Sequence, residues 1–177
     1  MQHFGLLGAK LGHSLSPQIH GMIFEELDIS ADYKLLELPA EALKTAVPEL
    51  AQSYTGVNVT IPHKVNIMQY LDEIDEMAKL IGAVNTVHIK DGKLYGYNTD
   101  AIGFINPLVK EDVEIKDKTA VILGAGGACR AVVCGLIKQE IKNIILAVRN
   151  PVKAQLLAND FNDLVDIKVC DWHSEEF

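Results

Sequence analysis

The chain has 177 residues, of which 49% are hydrophobic and 23% charged, and its 16 basic and 24 acidic side chains give a formal net charge of −8. This composition allows a buried core and argues against general disorder, and the acidic balance argues against the basic face that nucleic acids or anionic membranes require. No apolar run approaches the roughly 18 residues of a membrane span, and the start lacks the pattern of a secretory signal.

In the first hundred residues, short apolar runs alternate with helical patterns. Strands are predicted over residues 3–7, 33–38, 56–60, 83–89 and 93–97, and helices from 16 onward and over 40–50, 63–70 and 73–80. Ser16 is the predicted N-cap of the first helix and Pro17 its first helical residue. The apolar positions of that helix have the spacing of one helix face: Ile19, Met22, Ile23 and Leu27. The last two strands, joined by Lys90-Asp91-Gly92, form a predicted hairpin.

From Thr99 the pattern changes to regular strand and helix alternation. Thr99 is predicted to cap a linker helix of about residues 99–110, and we place the domain boundary within it, giving domains 1–102 and 103–177. Strands follow over 119–123, 143–148 and 165–170, with helices ending near 139 and over 151–160. Such alternation predicts right-handed crossovers and a parallel sheet. Roughly 60 residues follow Lys118, about half of a usual dinucleotide-binding sheet, so we expect a truncated chain.

A glycine cluster separates the first strand of the second domain from its helix. It reads Gly124-Ala125-Gly126-Gly127-Ala128, and Cys129 stands where the usual fingerprint has a third glycine. Glycine allows a tight turn and a close approach of the backbone to a pyrophosphate, and the helix N-terminus presents free N–H groups to it. A tight turn without a ligand remains the alternative.

The residues after the next strand bear on the choice of cofactor. A cofactor with a free 2′-hydroxyl calls for an acidic residue there, whereas this chain has Arg149, followed by Asn150 and Lys153. A guanidinium suits a 2′-phosphate, so the sequence predicts NADP rather than NAD. An ordinary solvated charge at a strand end is the alternative. Arg130, the only other arginine, is interpreted either as a phosphate contact or as a helix-surface residue.

Four polar clusters lie at strand ends or helix starts, where a scaffold positions loop residues. They are Ser14-Leu15-Ser16-Pro17, Asn58-Val59-Thr60-Ile61-Pro62-His63-Lys64, Gly82-Ala83-Val84-Asn85-Thr86 and Gly96-Tyr97-Asn98-Thr99-Asp100. Taken singly, each has an ordinary explanation as a cap, a turn or a solvated charge. Together, S-x-S-P-x-x-H, N-V-T-x-P-x-K, G-A-V-N-T and N-T-D-x-x-G, followed by the G-x-G-G loop, closely resemble the shikimate dehydrogenase family in order and spacing. The resemblance covers nearly all of this chain but about two-thirds of a usual member.

The resemblance implies an α/β fold, with an N-terminal substrate-binding domain followed by the first part of a Rossmann-like NADP-binding domain. It implies reversible, NADPH-dependent reduction of 3-dehydroshikimate to shikimate, on the pathway to aromatic amino acids. Lys64 and Asp100 would form the catalytic pair. The implied substrate contacts are Ser14, Ser16, Thr60, Lys64, Asn85 and Asp100. The family usually has Asn-Arg-Thr at the end of the second cofactor strand, where this chain has Val148-Arg149-Asn150.

The chemistry of these residue types agrees with that reaction. Two serine hydroxyls at a helix N-terminus can hold a carboxylate, and a lysine ammonium can stabilise a developing alkoxide and protonate it. Asp100 would orient Lys64 and hold the adjacent hydroxyl. His13 and His63 adjoin motifs and are interpreted as supporting residues. The sequence shows no metal-ligand spacing, so no metal is expected.

Two alternatives stay open. One is a quinate/shikimate dehydrogenase with a broader substrate range or with NAD, and Ser16 in place of threonine favours shikimate by resemblance. The other is a non-catalytic shikimate-binding fragment. We expect a monomer or homodimer that binds small molecules, not nucleic acid or membranes. A cytoplasmic location is expected because three cysteines without C-x-x-C spacing suit free thiols: Cys129, Cys134 and Cys170.

Overall fold

The computed structural model describes residues 1–173, and the chain divides into two compact units, one of residues 1–98 and one that begins at Thr99. The division between the two compact units falls after residue 98. The sequence placed the domain boundary four residues later, after residue 102, within the helix that follows. Within the described residues, none of the helices is both long and apolar enough to cross a membrane.

A six-stranded sheet organises the first unit. Its strands are β1 (Gln2–Gly8), β2 (Ala31–Glu37), β3 (Gly56–Val59), β4 (Glu73–Ile74), β5 (Thr86–Lys90) and β6 (Lys93–Tyr97), in the order β2-β1-β3-β5-β6-β4. Strands β1, β2 and β3 are parallel, and β5 runs antiparallel to β3 and β6, which confirms the predicted hairpin. The ends of β1, β3 and β6 and the start of β5 consequently lie at one edge of the sheet.

The helices of this unit are unequally buried. They are α1 (Ser16–Glu26), α2 (Leu43–Ser53), α3 (His63–Asn66) and α4 (Glu76–Ile81), with 3₁₀ turns at Ala40–Ala42 and Ile67–Tyr70. The core combines Leu43 and Val47 of α2 and Ala78 of α4 with strand residues such as Leu7 and Val59. Because side chains alternate along a strand, Phe4, Tyr33 and Asn58 point to the opposite face. On that face α1 packs, and Phe4 contacts Phe24 with ring centroids 5.6 Å apart.

The predicted start of the first helix and the helix predicted over 73–80 were wrong in detail. Ser16 is the first helical residue and not the N-cap, which is Leu15, so Pro17 is the second helical residue and not the first. The apolar stripe of α1 is 43–71% exposed, so helical spacing gave the helix but not a buried face. The helix predicted over 73–80 is instead β4 followed by α4. Asp75 separates them, since its extended backbone places its carboxylate to accept a 2.9 Å hydrogen bond from the Met77 amide as an N-cap.

The helix predicted over 63–70 is also divided, into α3 and the 3₁₀ turn that follows it. The helix predicted over 40–50 begins as a 3₁₀ turn and continues as α2. In both segments the backbone remains helical, and only its hydrogen-bond spacing changes.

The second unit contains a parallel three-stranded sheet in the order β7-β8-β9, as the strand and helix alternation predicted. Its elements are α5 (Asp100–Lys110), β7 (Thr119–Leu123), α6 (Cys129–Lys138), β8 (Asn143–Val148), α7 (Pro151–Asn159) and β9 (Asp166–Asp171). Helices α5 and α6 pack closely at Gly135, where an added Cβ would lie 2.8 Å from Cγ1 of Ile105. Glycine at this position is therefore a packing requirement.

Candidate active site

Five of the predicted substrate residues lie at the polar edge, which we define as the edge of the first sheet formed by the ends of β1, β3 and β6 and the start of β5. Ser14 and Ser16 lie in and just after the loop that follows β1. Thr60 follows β3 directly, Lys64 lies on α3, and Asn85 precedes β5. All are half-buried except Asn85, which is 8% exposed. The fold therefore gathers residues that are up to 71 positions apart in sequence.

Backbone hydrogen bonds fix the segments around Thr60, Lys64 and Asn85. The Thr60 amide donates to the Leu7 carbonyl at 2.8 Å, which continues the pairing of β1 and β3 past the last strand residue. The Asn85 carbonyl accepts from the amide of Val59 at 2.8 Å, and the Asn85 amide donates to Tyr97 at 3.0 Å. These bonds hold Asn85 between the ends of two strands.

The backbone conformation at residue 82 explains why the Gly82–Thr86 motif begins with glycine. It ends α4 in the left-handed conformation, at φ 72° and ψ 27°, and its amide donates to Ala78 and Lys79 carbonyls. This conformation favours glycine because it has no Cβ. The chain then turns back towards the polar edge. There Asn98, 5% exposed, donates from Nδ2 to the Ala83 carbonyl at 2.9 Å, so this motif asparagine braces the turn.

The two serines form a local pair at the start of α1. Ser14 Oγ accepts from the Ser16 amide at 3.2 Å and donates to Ser16 Oγ at 3.1 Å. The helix starts without a side-chain cap of the usual kind, and Pro17 has no amide hydrogen to satisfy. Two hydroxyls and a helix N-terminus thus lie together, which is an arrangement able to receive a carboxylate.

A chain of side-chain hydrogen bonds connects Tyr33 with Asn85. The Tyr33 hydroxyl donates to Asn58 Oδ1 at 2.8 Å. Asn58 Nδ2 donates to Thr86 Oγ1 at 3.2 Å, and the Thr86 hydroxyl donates to Asn85 Oδ1 at 2.9 Å. Sequence reasoning included Asn58 and Thr86 in motifs without giving them a role. It missed Tyr33, which lies in no motif and is brought here only by the pairing of β2, β1 and β3.

The two histidines next to the motifs differ in burial. His63 is fully buried, and its Nε2 donates to the Leu38 carbonyl at 2.9 Å, whereas its Nδ1 has no partner among the described residues. His13 is exposed. His63 therefore ties α3, and with it Lys64, to the segment after β2.

Asp100, the other member of the predicted catalytic pair, belongs to the second unit. It is the first residue of α5, follows Asn98 by two positions and is half-buried. Its pairing with Lys64 stays a prediction.

The predicted cofactor residues come together within the second unit. A cavity of about 280 Å³ is lined by Gly124, Ala125, Gly126, Val148, Arg149 and Asn150. Gly124 has φ 101°, a conformation that favours glycine. At Gly126 and Gly127 an added Cβ would meet no described atom within 4 Å, and neither has positive φ. Neither packing nor backbone strain requires these glycines, whereas a phosphate lying close to the loop would.

The remaining cofactor residues surround this loop. Ala128 directly precedes α6, and no side chain caps that helix within the described residues. Arg149 and Asn150 are exposed at the end of β8, and the side chain of Lys153 lies outside the described part of the chain. These features fit a dinucleotide phosphate at the loop and a 2′-phosphate at Arg149.

Arg130 has a structural role instead. Its Nη1 donates to Asp160 Oδ2 at 2.5 Å, and its guanidinium lies 5.0 Å from the ring centroid of Phe161. These contacts support the second of the two interpretations made from the sequence, in which Arg130 is a residue of the helix surface.

The fold and the site define an α/β protein that combines a sheet with a polar edge and a partial Rossmann-like unit with a glycine-rich loop. Family models match both parts: the shikimate dehydrogenase substrate binding domain over residues 6–87, and the shikimate / quinate 5-dehydrogenase over residues 107–173. The chain belongs to the shikimate dehydrogenase family, as its motifs predicted.

Relatives and solved structures agree with this assignment. A shikimate dehydrogenase (NADP(+)) of Bacillus cytotoxicus is 49% identical over 161 residues, covering 89% of this chain and 58% of that protein. One of Nitrosopumilus maritimus is 46% identical over 155 residues, covering 87% and 57%. The shikimate 5-dehydrogenase of Thermus thermophilus, solved with NADP(H) and shikimate, is 36% identical with a TM-score of 0.86, covering 96% of this chain and 63% of that one. The chain thus spans somewhat more than half the length of these relatives.

Proposed function

We propose that the protein is an NADP-dependent shikimate dehydrogenase, which reversibly reduces 3-dehydroshikimate to shikimate, and that this chain carries its substrate site. The observation that carries the proposal is the gathering of Ser14, Ser16, Thr60, Lys64 and Asn85 at the polar edge. Serine and threonine hydroxyls, an amide and one ammonium match a ligand with one carboxylate, several hydroxyls and a reacting carbonyl.

Substrate binding is assigned to the neutral groups. The Ser14 and Ser16 hydroxyls, next to the N-terminus of α1, would donate to the carboxylate of the substrate. Thr60 and Asn85 would bind ring hydroxyls from the opposite side of the polar edge. The carboxylate and the ring hydroxyls that these residues would bind keep their charge during the reaction, so the contacts change little between ground state and transition state and set affinity more than rate.

The proton transfer is assigned to Lys64. Reduction of a ketone leaves negative charge on its oxygen, and an ammonium can stabilise that charge and then donate the proton. Asp100 would orient the ammonium and hold the adjacent hydroxyl of the substrate. α3 places Lys64 directly after the buried His63, which limits the movement of the backbone that carries the ammonium.

The cofactor proposed is NADP, held by the 280 Å³ cavity at the glycine loop. Gly124, Gly126 and Gly127 would admit the pyrophosphate to the loop, and the exposed Arg149 would bind the 2′-phosphate, together with Asn150. NADPH, when bound, supplies the hydride. The alternative of quinate as a second substrate is supported by the description of the family model that matches residues 107–173.

A reducing, cytoplasmic location and a monomeric or homodimeric state complete the proposal. The three cysteines are free and buried. Burial raises the pKa of Cys129, and raises that of Cys134 to about 11, so these thiols are poorly reactive at neutral pH. This agrees with thiols that serve as packing residues in a reducing compartment.

Titration of shikimate into the 177-residue chain, followed by calorimetry, tests the substrate site. We expect binding that Ser16→Ala weakens and that Ser53→Ala, at the exposed end of α2, leaves unchanged. Absence of shikimate binding by the unmodified chain would contradict the proposal, as would equal effects of the two serine substitutions.

A further inference from the structure

The loop between β1 and α1, residues 9–15, carries Ser14 and leads directly into Ser16, and we call it the serine loop. Leu11 is its buried residue, with 4% of its surface exposed, whereas both of its neighbours in sequence are exposed. A loop that faces solvent on both sides of one buried residue depends on that residue for its position. Leu11 is therefore the anchor of the serine loop.

The side chain of Leu11 packs on the end of β1. An added Cβ at Gly8 would lie 2.6 Å from Cδ2 of Leu11 and 2.7 Å from Cγ2 of Thr60. Both side chains consequently lie against the backbone of the last residue of β1, and any side chain at position 8 would displace them. Glycine there lets the serine loop pack beside the segment that carries Thr60.

The backbone of Leu11 is held at both of its polar groups. Its amide donates to Glu37 Oε1 at 2.7 Å, and its carbonyl accepts from the amide of Ser14 at 2.8 Å. A carboxylate is a stronger acceptor than a neutral oxygen because its charge strengthens the hydrogen bond. Glu37 thus holds the first residue of a turn whose last residue is Ser14.

Glu37 is the last residue of β2 and belongs to none of the four polar clusters. In register it pairs with Gly8 of β1, so the strand pairing brings it beside the start of the serine loop. The amide of the next residue, Leu38, donates to the Gly8 carbonyl at 2.9 Å, and the Leu38 carbonyl accepts from His63. Two consecutive residues at the end of β2 therefore hold both the serine loop and α3, which carries the proposed proton donor.

We propose that Glu37 is a positioning residue for the serine pair: it holds the Leu11 amide and thereby fixes the place of both serine hydroxyls at the polar edge. This inference rests on the proposed function, in which those hydroxyls bind the substrate carboxylate. Glu37 acts through the serine loop and does not itself touch the substrate. Without its carboxylate, the Leu11 amide loses this acceptor and the loop samples more positions, so binding must restrict the loop at a cost in affinity.

Calorimetric titration of shikimate into variants of the 177-residue chain tests this role. We expect Glu37→Ala to weaken shikimate binding by roughly 3- to 20-fold, the range for one lost hydrogen bond. Glu37→Gln keeps an oxygen that can accept from the Leu11 amide and should lose clearly less affinity. Glu49→Ala, at an exposed position of α2, removes the same charge and should bind as the unmodified chain does. The comparison separates the hydrogen bond from the change in net charge.

A second measurement does not depend on how much of the variant is folded. The ratio of affinities for shikimate and for its methyl ester, measured on one protein sample, reports recognition of the carboxylate alone. Glu37→Ala should bring this ratio closer to one, and Glu49→Ala should leave it unchanged. Once Ser16 is alanine, Glu37→Ala should change the ratio less, because one of the hydroxyls that it positions is gone.

The outcomes separate this inference from the proposed function. If the unmodified chain binds no shikimate, the proposed function fails and the role of Glu37 fails with it. If the chain binds shikimate but Glu37→Ala keeps the ester ratio, or changes it equally with and without Ser16, then Glu37 only supports the fold and the inference alone is overturned. Equal losses in Glu37→Ala and Glu37→Gln would overturn it too, because the charge and not the hydrogen bond would then be responsible.

Discussion

The carbonyl oxygen of Lys64 accepts a 2.8 Å hydrogen bond from the amide of Val84. The bond joins α3 to the residue just before Asn85, although the two segments are 20 positions apart in sequence. It places the start of the lysine side chain beside a segment that begins at Gly82, the C-cap of α4, and ends at Asn85, whose backbone bonds to Val59 and Tyr97. An ammonium must be held at a defined distance from the reacting oxygen if it is to stabilise charge there, and this backbone bond contributes to that preorganisation.

Substitution of Lys64 by alanine should separate catalysis from binding in the protein that combines this chain with a complete cofactor domain. We expect kcat for shikimate oxidation to fall by roughly 10²- to 10⁴-fold, the range for a lost general acid or base, with a much smaller change in KM. Lys79→Ala, which removes an exposed ammonium paired with Glu76 on α4, is the matched control. A near-normal kcat for Lys64→Ala would assign the proton transfer to another group.

Ser16→Ala should show the reverse pattern. The hydroxyl is assigned to a carboxylate that does not react, so its loss removes binding that is equal in ground state and transition state. KM for shikimate should rise while kcat stays within a small factor, as steady-state kinetics would show. A fall in kcat with unchanged KM would place Ser16 at the reacting end of the substrate instead.

Arg149→Asp should alter cofactor preference. The exposed guanidinium at the end of β8 is assigned to the 2′-phosphate, which NADPH has and NADH lacks. Affinity for NADPH, measured by fluorescence titration, should fall far more than affinity for NADH. Lys142→Asp makes a similar charge change at an exposed position just before β8 and should affect both cofactors little. Equal losses for NADPH and NADH in Arg149→Asp would mean that Arg149 does not bind the 2′-phosphate.

Sequence reasoning succeeded where the determining interactions are local. The bounds of β7 and β8 were predicted to the residue, because each is a short apolar run between turn residues. The hairpin of β5 and β6 followed from its turn, in which Gly92 has φ 76°. Residues of the polar edge were also found, since motifs record which side chains a loop must present.

Long-range placement could not be predicted in the same way. The order β2-β1-β3 and the register of its pairing bring Tyr33 to Asn58, and no local pattern in Ala31–Glu37 contains that information. Helical spacing in α1 likewise predicts a helix face but not its burial, which depends on what packs against it. Asp75 shows a third limit, since one N-cap divides a continuous helical pattern into a strand and a helix.

His63→Ala should destabilise the first unit strongly. The imidazole is fully buried and donates to the Leu38 carbonyl, so its removal leaves a cavity and removes the donor that this carbonyl accepts from. We expect a loss of about 2–4 kcal/mol in the free energy of unfolding, measured by urea denaturation. His13→Ala, at an exposed position in the loop before α1, should change it by less than about 0.5 kcal/mol. Similar midpoints for the two variants would contradict the structural role of His63.

His20 should make the stability of the first unit depend on pH. Burial against Tyr33 lowers the pKa of His20 below its ordinary value of 6.5, because burial disfavours the charged ring. Between the lowered pKa and 6.5, the unfolded chain therefore binds more protons than the folded chain. The free energy of unfolding must fall as pH falls through this window, and the contribution of His20 becomes constant below its folded-state pKa.

Thermal unfolding at about pH 7.5 and about pH 5.5 measures this effect. The first pH lies above 6.5, the upper limit of the window, and the second lies about one pH unit below that limit. The decrease in Tm between the two pH values should be smaller in His20→Gln than in the unmodified chain, because glutamine does not titrate. His13→Gln removes an exposed histidine and should retain the whole decrease. If His20→Gln lost as much Tm on acidification as His13→Gln did, protonation of His20 would not oppose folding, and its stacking on Tyr33 would tolerate the charged ring.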